Sequence, residues 1–208
     1  MQIEVLCHSS IRIETEKNII YIDPFKIEEE NKDADIIAIT HSHYDHFSEE
    51  DILKVKNENT KILITTDLFE KTIKLGFKKE DIIMVMPNNS YNALELIVNT
   101  IPAYNINKKF HPKENNWVGY VFKINNCKIY IAGDTDITEE NKKVECDIAL
   151  IPVGGTYTTT YEEAAELTNI IKPKIAIPTH YGDIVGNKED GNKFKDKVHE
   201  GIKVDIQI

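Results

Sequence analysis

Short β-branched runs recur along this chain, and they are of two kinds. MQIEVLCHSSIRIE alternates apolar and polar positions, and MQIEVL, SIRIET and NIIYID predict successive antiparallel strands with a tight turn near Glu16–Asn18. DIIAIT (35–40) and DIALIPV (147–153) are nearly continuous apolar runs, the pattern of strands covered on both faces. KILITT (61–66), DIIMVM (81–86), LELIVNTIP (94–102), KIAIPTH (174–180) and the terminal IKVDIQI extend the strand set. WVGYVFKI and CKIYIAG predict a hairpin turning at Asn125-Asn126.

Helical signals fall between these runs. Ser48 is an N-cap with acidic residues behind it, predicting a helix over Glu49–Val55. A second covers Asp67–Leu75 and is closed by Gly76. Tyr161–Ile171 places Ala164, Ala165, Leu167, Ile170 and Ile171 at helical spacing and stops before Pro173. A fourth helix is predicted near Lys188–Val198. Strands in two groups with helices between and outside them make an α/β or α+β fold. No linker, low-complexity segment or short-period repeat divides the chain, so residues 1–208 are expected to form a single domain.

Composition narrows the function classes. The chain has 208 residues, 41% hydrophobic and 29% charged, an ordinary globular balance that can bury a sizeable core. The net charge of −10 works against tracking a phosphate backbone, so no nucleic-acid partner is expected. The first residues do not read as a signal peptide, and no apolar run approaches the ~18 residues that span a bilayer. Cys7, Cys127 and Cys146 never form C-x-x-C and read as reduced core residues. The expectation is a cytoplasmic protein that is not inserted in a membrane.

The chemistry concentrates in IAITHSHYDHFSEED (37–51), where His41, His43, Asp45 and His46 crowd onto one turn at the end of a buried strand. Imidazole nitrogen and carboxylate oxygen suit zinc, iron, manganese or nickel. Four donors on one turn cannot comfortably surround a single ion, which favours two adjacent ions. Each ion then needs donors from distant strand ends. Asp134 in IAGDTD and His180 in IPTHYG both follow apolar strands, and His111 lies in the loop KKFHPKENN. A histidine-rich capping loop is the bland alternative. Three of the chain's seven histidines falling within six positions at a strand end argues against it.

HSHYDH matches H-x-H-x-D-H, and the chain resembles the metallo-β-lactamase superfamily. CHSS (7–10), IDP (22–24), IPAYN…FHP (101–112), GDTD (133–136), PVGGTYT (152–158) and HYG (180–182) resemble a metal-dependent hydrolase branch within it. That branch is related to the ascorbate-6-phosphate lactonases and, more distantly, to phosphodiesterases acting on lipid headgroups. The resemblance covers essentially the whole chain and implies a four-layer αββα sandwich with metals at one edge. It places His41, His43 and His111 on a first ion, Asp45, His46 and His180 on a second, and Asp134 between them. Many superfamily members carry the third histidine of the first ion directly after a strand, where this chain has Asn105. The FHP segment and the better ligand chemistry of imidazole favour His111. Asp23 is a candidate to orient a ligating imidazole. His8 is assigned to the core or to a supporting position, His199 to the surface, and Tyr104, Tyr181 and Thr156–Thr160 to a candidate pocket lining.

The implied function is hydrolysis of a phosphodiester, lactone or other ester of a small molecule. The nucleophile would be a hydroxide held by a dinuclear site, with Asp45 and Asp134 in catalytic roles. Two divalent ions are implied, zinc foremost, with manganese, iron or nickel as the other candidates. Related lactonases form oligomers, which makes a homo-oligomer an expectation too. The rivals are a diiron redox protein and a non-catalytic metal-binding protein of the same fold. The former usually carries a carboxylate at the position of His43 and a flavin domain. A true β-lactamase is disfavoured because the usual cysteine ligand of the second ion is absent.

Overall fold

Two β-sheets lie face to face in the computed structural model, which describes residues 1–208. The first sheet runs, in both sequence and space, β1 (Gln2–Cys7), β2 (Ser10–Glu14), β3 (Ile19–Ile22), β4 (Ala34–Ala38), β5 (Lys56–Thr65) and β6 (Ile82–Val85). The second contains β7 (Ser90–Ala93), β8 (Leu96–Pro102), β9 (Val118–Ile124), β10 (Cys127–Ile131), β11 (Ile148–Pro152), β12 (Ile175–Thr179) and β13 (Lys203–Val204), again in chain order. Each begins as an antiparallel meander and ends as a parallel array, which starts at the β3–β4 pair in one sheet and at β10–β11 in the other. Helices α1 (Glu49–Val55) and α2 (Phe69–Lys74) cover the first sheet, and α3 (Tyr161–Ile171) and α4 (Asp190–Lys197) cover the second.

The apolar runs explain this layering. Because side chains alternate along a strand, Ile36 and Ala38 of β4 enter the core between the sheets, where Ile11, Ile20, Tyr120, Phe122 and Leu150 also pack. Ile37 and Ile39 point the other way, into a cluster with Ile52 and Val55 of α1. In β11, Leu150 faces the inter-sheet core, and Ala149 and Ile151 face Ala164, Ala165 and Leu167 of α3 and Phe194 of α4. Burying each such Ile or Leu contributes about 1.5–3 kcal/mol. The result is the αββα sandwich, with one core between the sheets and one under each helical layer.

Local signals set most boundaries. The Ser48 side chain caps α1 by accepting from the Asp51 amide at 3.3 Å. Thr160 and Glu163 form a reciprocal capping box at α3. Asn125 and Asn126 both take positive φ in the β9–β10 hairpin. LELIVNTIP differs from expectation, because its start is the turn of a hairpin in which Leu94 has φ +53 and the short, half-polar β7 pairs back on β8. β5 starts at Lys56, and the Thr60 hydroxyl donates to the Ala34 carbonyl where the register slips. The helix expected over 67–75 opens as a 3₁₀ turn at Thr66–Leu68. Of the last strand only Lys203–Val204 pairs with β12, and beyond it the Gln207 Oε1 accepts from the Val5 amide at 2.7 Å.

The parallel strands end along one edge of the sandwich. His41 follows β4, Asp134 follows β10 and His180 follows β12, and His111 comes from the β8–β9 loop. No helix is long and apolar enough to cross a membrane.

Candidate metal centre

The turn after β4 is closed by its own backbone. The His46 and Phe47 amides both donate to the His43 carbonyl, at 3.1 and 2.8 Å, which folds HSHYDHF tightly over the strand end. After β10 the chain turns at Gly133, with φ +65. A Cβ there would lie 3.0 Å from the Val118 carbonyl, so glycine lets Asp134 enter the edge. His180 takes φ +60, its amide donating to the His8 carbonyl at 2.8 Å. Gly154 packs beneath it so closely that a Cβ would fall 2.2 Å from the His180 carbonyl oxygen. His111 and Asn105 exchange two bonds, His111 N–H to Asn105 Oδ1 at 3.0 Å and Asn105 N–H to the His111 carbonyl at 2.8 Å.

All seven sequence-predicted donors converge. The Asp134 Oδ2 lies 3.0 Å from His180 Nε2, 3.2 Å from His111 Nε2 and 4.0 Å from His41 Nε2, and its Oδ1 lies 3.3 Å from His46 Nε2. Asp45 Oδ2 faces His46 Nε2 at 3.5 Å and His180 Nε2 at 3.7 Å. His41 Nε2 lies 3.0 Å from His43 Nδ1. Three sets have donor atoms mutually within 4.8 Å: His41, His43 and His111; His41, His46 and Asp134; and His8, Asp45 and His180. Asp134 therefore faces both halves of the cluster.

Seven buried side-chain atoms in the chain lack a hydrogen-bond partner, and every one belongs here: both ring nitrogens of His8 and of His180, Nε2 of His46 and of His111, and Oδ1 of Asp134. Buried polar atoms are ordinarily paired, and leaving one unpaired costs about 1–3 kcal/mol. Imidazole nitrogens and carboxylate oxygens turned toward one another without hydrogen bonds suit a divalent cation, so the donor set fits metal.

The far side of the cluster is satisfied. Asp23 Oδ2 accepts from His46 Nδ1 at 2.7 Å and from the Thr40 hydroxyl at 2.6 Å, and its Oδ1 accepts from the Thr40 amide at 2.8 Å. The Thr40 oxygen lies 3.0 Å from His41 Nδ1, and Asn105 Oδ1 lies 3.0 Å from His111 Nδ1. These contacts fix the tautomers so that Nε2 faces inward. Burial opposes ionisation of Asp45 and Asp134, but neighbouring histidines outweigh it and hold both carboxyls below their ordinary range. Burial lowers His41, keeping it in the neutral form that coordinates metal.

Some supporting positions depart from expectation and others match it. His8 stands inside the cluster, its Nε2 3.4 Å from Asp45 Oδ2 and its ring 3.8 Å from that of His180. A lone histidine before a strand carries no periodic signal, although φ +55 at a non-glycine residue marks the position as special once the backbone is known. Asn105 stands behind His111 instead of in its place. Tyr181 is buried against the second sheet, its hydroxyl donating to the Ile208 carbonyl, and the Tyr104 hydroxyl donates to Glu140, so neither lines the pocket. A cavity of about 250 Å³ opens over the donors, and Tyr157 of the Thr156–Thr160 loop lines it. A larger cleft of about 760 Å³ beside Arg12 and Gln207 contains none of the donors. His199 is exposed and remote.

Comparison with known proteins places this geometry. The family described as "Beta-lactamase superfamily domain" matches residues 2–180. The chain is 32% identical to a UPF0173 metal-dependent hydrolase of Nanoarchaeum equitans, over 96% of this chain and 93% of the relative. It superposes on a crystal structure described as a candidate metal-dependent hydrolase from Parabacteroides distasonis with a TM-score of 0.82 and 30% identity, covering 98% and 91% of the two chains. A metallo hydrolase from the archaeon Ignicoccus hospitalis shares the fold, with a TM-score of 0.79 at 23% identity over 98% of this chain and 93% of that one.

Proposed function

The chain belongs to the β-lactamase superfamily, within the branch of UPF0173 metal-dependent hydrolases, and on that premise we propose that it cleaves an ester, lactone or phosphodiester of a small molecule at a two-ion centre. The observation that carries this reading is the convergence of every unpartnered buried side-chain nitrogen and oxygen atom of the chain on one strand-end cluster. In this reading His41, His43 and His111 hold one divalent ion, and Asp45, His46 and His180 hold the other. Asp134 serves both, since one of its oxygens faces His46 and the other faces His111 and His180. Zinc suits the nitrogen-rich donor set, and manganese, iron and nickel are its competitors.

When bound, such ions supply Lewis acidity, lowering the pKa of water toward ~7 and polarising the substrate oxygen under attack. The chain's own residues do the positioning. Asp23 accepts from His46 Nδ1–H and so turns the Nε2 lone pair inward. Asn105 does the same for His111 with a neutral amide, and the Thr40 oxygen does so for His41. Asp45 lines the cavity as an anion, where its carboxylate can accept a hydrogen bond from an attacking water and orient it. Tyr44 and Phe110 line the cavity beside the donors. A cavity of about 250 Å³ lies just below the roughly 300–1,000 Å³ of typical ligand pockets and limits the buried part of a substrate to a small group.

The test is a screen of metal-reconstituted protein against phosphodiesters, lactones and carboxylic esters, with His43→Ala alongside. The reading expects turnover on at least one class that falls at least a hundredfold in the variant. Turnover unchanged by His43→Ala, or none on any class at full metal loading, contradicts it.

A further inference from the structure

The cavity over the donors combines two features that bear on what enters it. Four of its lining residues, His43, Asp45, His111 and Asp134, belong to the cluster, and the other four are Tyr44, Phe110, Tyr157 and Ile184. None is lysine or arginine. Tyr44 and Phe110 are 67% and 47% exposed. Phe110 meets Tyr157 edge to face at 4.6 Å, making a continuous aromatic wall.

Three lysines near this edge are paired with carboxylates. Lys26 Nζ lies 2.5 Å from Asp183 Oδ2, Lys108 Nζ lies 2.5 Å from Asp136 Oδ1, and Lys113 Nζ lies 2.7 Å from Glu140 Oε1. Lys109 is exposed beside Phe110 but does not line the cavity. An anionic group placed away from the reacting bond would therefore meet aromatic faces in a chain of net charge −10, with no lysine or arginine among the lining residues.

We infer that the substrate is an uncharged carboxylic ester or lactone whose non-reacting part is aromatic or branched aliphatic, seated against Tyr44, Phe110, Tyr157 and Ile184. Phosphorylated sugars and phosphodiesters are poor fits to this wall. The inference rests on the proposed hydrolytic centre only for the identity of the bond cleaved. The preference for an uncharged apolar flank rests on the wall itself.

Binding and turnover separate the two. Zinc-loaded protein is titrated with 2-phenylacetamide and with its ring 4-sulfonate, a poor metal ligand, by saturation-transfer NMR. The uncharged amide is expected to bind at least tenfold more tightly than the sulfonate. Phe110→Ala is expected to weaken the uncharged amide three- to tenfold and leave the zinc content unchanged. Equal or reversed affinities, absence of binding, or an unaltered affinity in Phe110→Ala overturns the inference. Turnover of methyl phenylacetate and its 4-sulfonate is measured in parallel. Selective binding without hydrolysis of either ester at full zinc loading counts against the hydrolytic centre and leaves the preference of the wall standing. Faster hydrolysis of the sulfonate overturns the inference and leaves the centre standing.

Discussion

The two halves of the donor cluster are supported differently. In the half formed by His41, His43 and His111, the backing groups are neutral, a threonine oxygen on His41 and an asparagine amide on His111, and His43 is only half-buried. In the half formed by Asp45, His46 and His180 all three are buried, and a buried carboxylate, Asp23, backs His46. A neutral acceptor orients an imidazole, whereas an anionic one also makes it a stronger ligand. On the proposed two-ion reading, the difference predicts that the second half would hold its ion more tightly and that ligand exchange would be easier at the more open first half.

The most severe way to break this comparison is to remove the group common to both halves. Asp134→Ala is predicted to empty both positions and reduce turnover by several kcal/mol, about a hundredfold or more, checked by metal analysis and initial rates. Stripping the wild type with a chelator comes next. If the ions are present at about 100 times their dissociation constants, each stabilises the fold by about 2.7 kcal/mol, so removal is expected to lower Tm by several degrees in a scan. A Tm indifferent to chelation would mean that the cluster does not depend on metal.

Smaller effects sharpen the asymmetry. Asp23→Ala is predicted to weaken one ion about 10- to 100-fold by leaving His46 unoriented, and to destabilise the fold by about 1–3 kcal/mol because the Thr40 amide loses its partner. Competition with a chromophoric chelator and urea unfolding read the two parts. Asn105→Ala is predicted to weaken the other ion by roughly tenfold, at the low end of the same range, while leaving the Asp23-backed ion unchanged. Equal effects from Asp23→Ala and Asn105→Ala would erase the distinction between the halves.

What was legible in the sequence follows the range of each interaction. HSHYDH is legible because its four donors are neighbours on one turn, and DIIAIT and DIALIPV because burial on both faces leaves an unbroken apolar run. Asp134 and His180 are legible because each directly follows such a strand. Asn105 and His8 are different, because their roles depend on what reaches them from elsewhere in the chain. Asn105 accepts from a histidine six residues on, and His8 meets Asp45 and His180 across the junction of the two sheets. β7 was illegible for a local reason, since SYNA is short, half-polar and joined to β8 through an unusual positive-φ leucine. The pocket wall was only partly legible, because which of several loop aromatics faces the cavity is decided by the packing of Phe110 on Tyr157.

The central claim is that this strand-end cluster holds two divalent ions, one in each half. Its most direct test is equilibrium metal counting on metal-free protein titrated with Co²⁺, for the wild type and for His43→Ala and His46→Ala. The account predicts two ions per chain in the wild type and one in each variant. A wild type that saturates below two, or variants that both retain two, would contradict it.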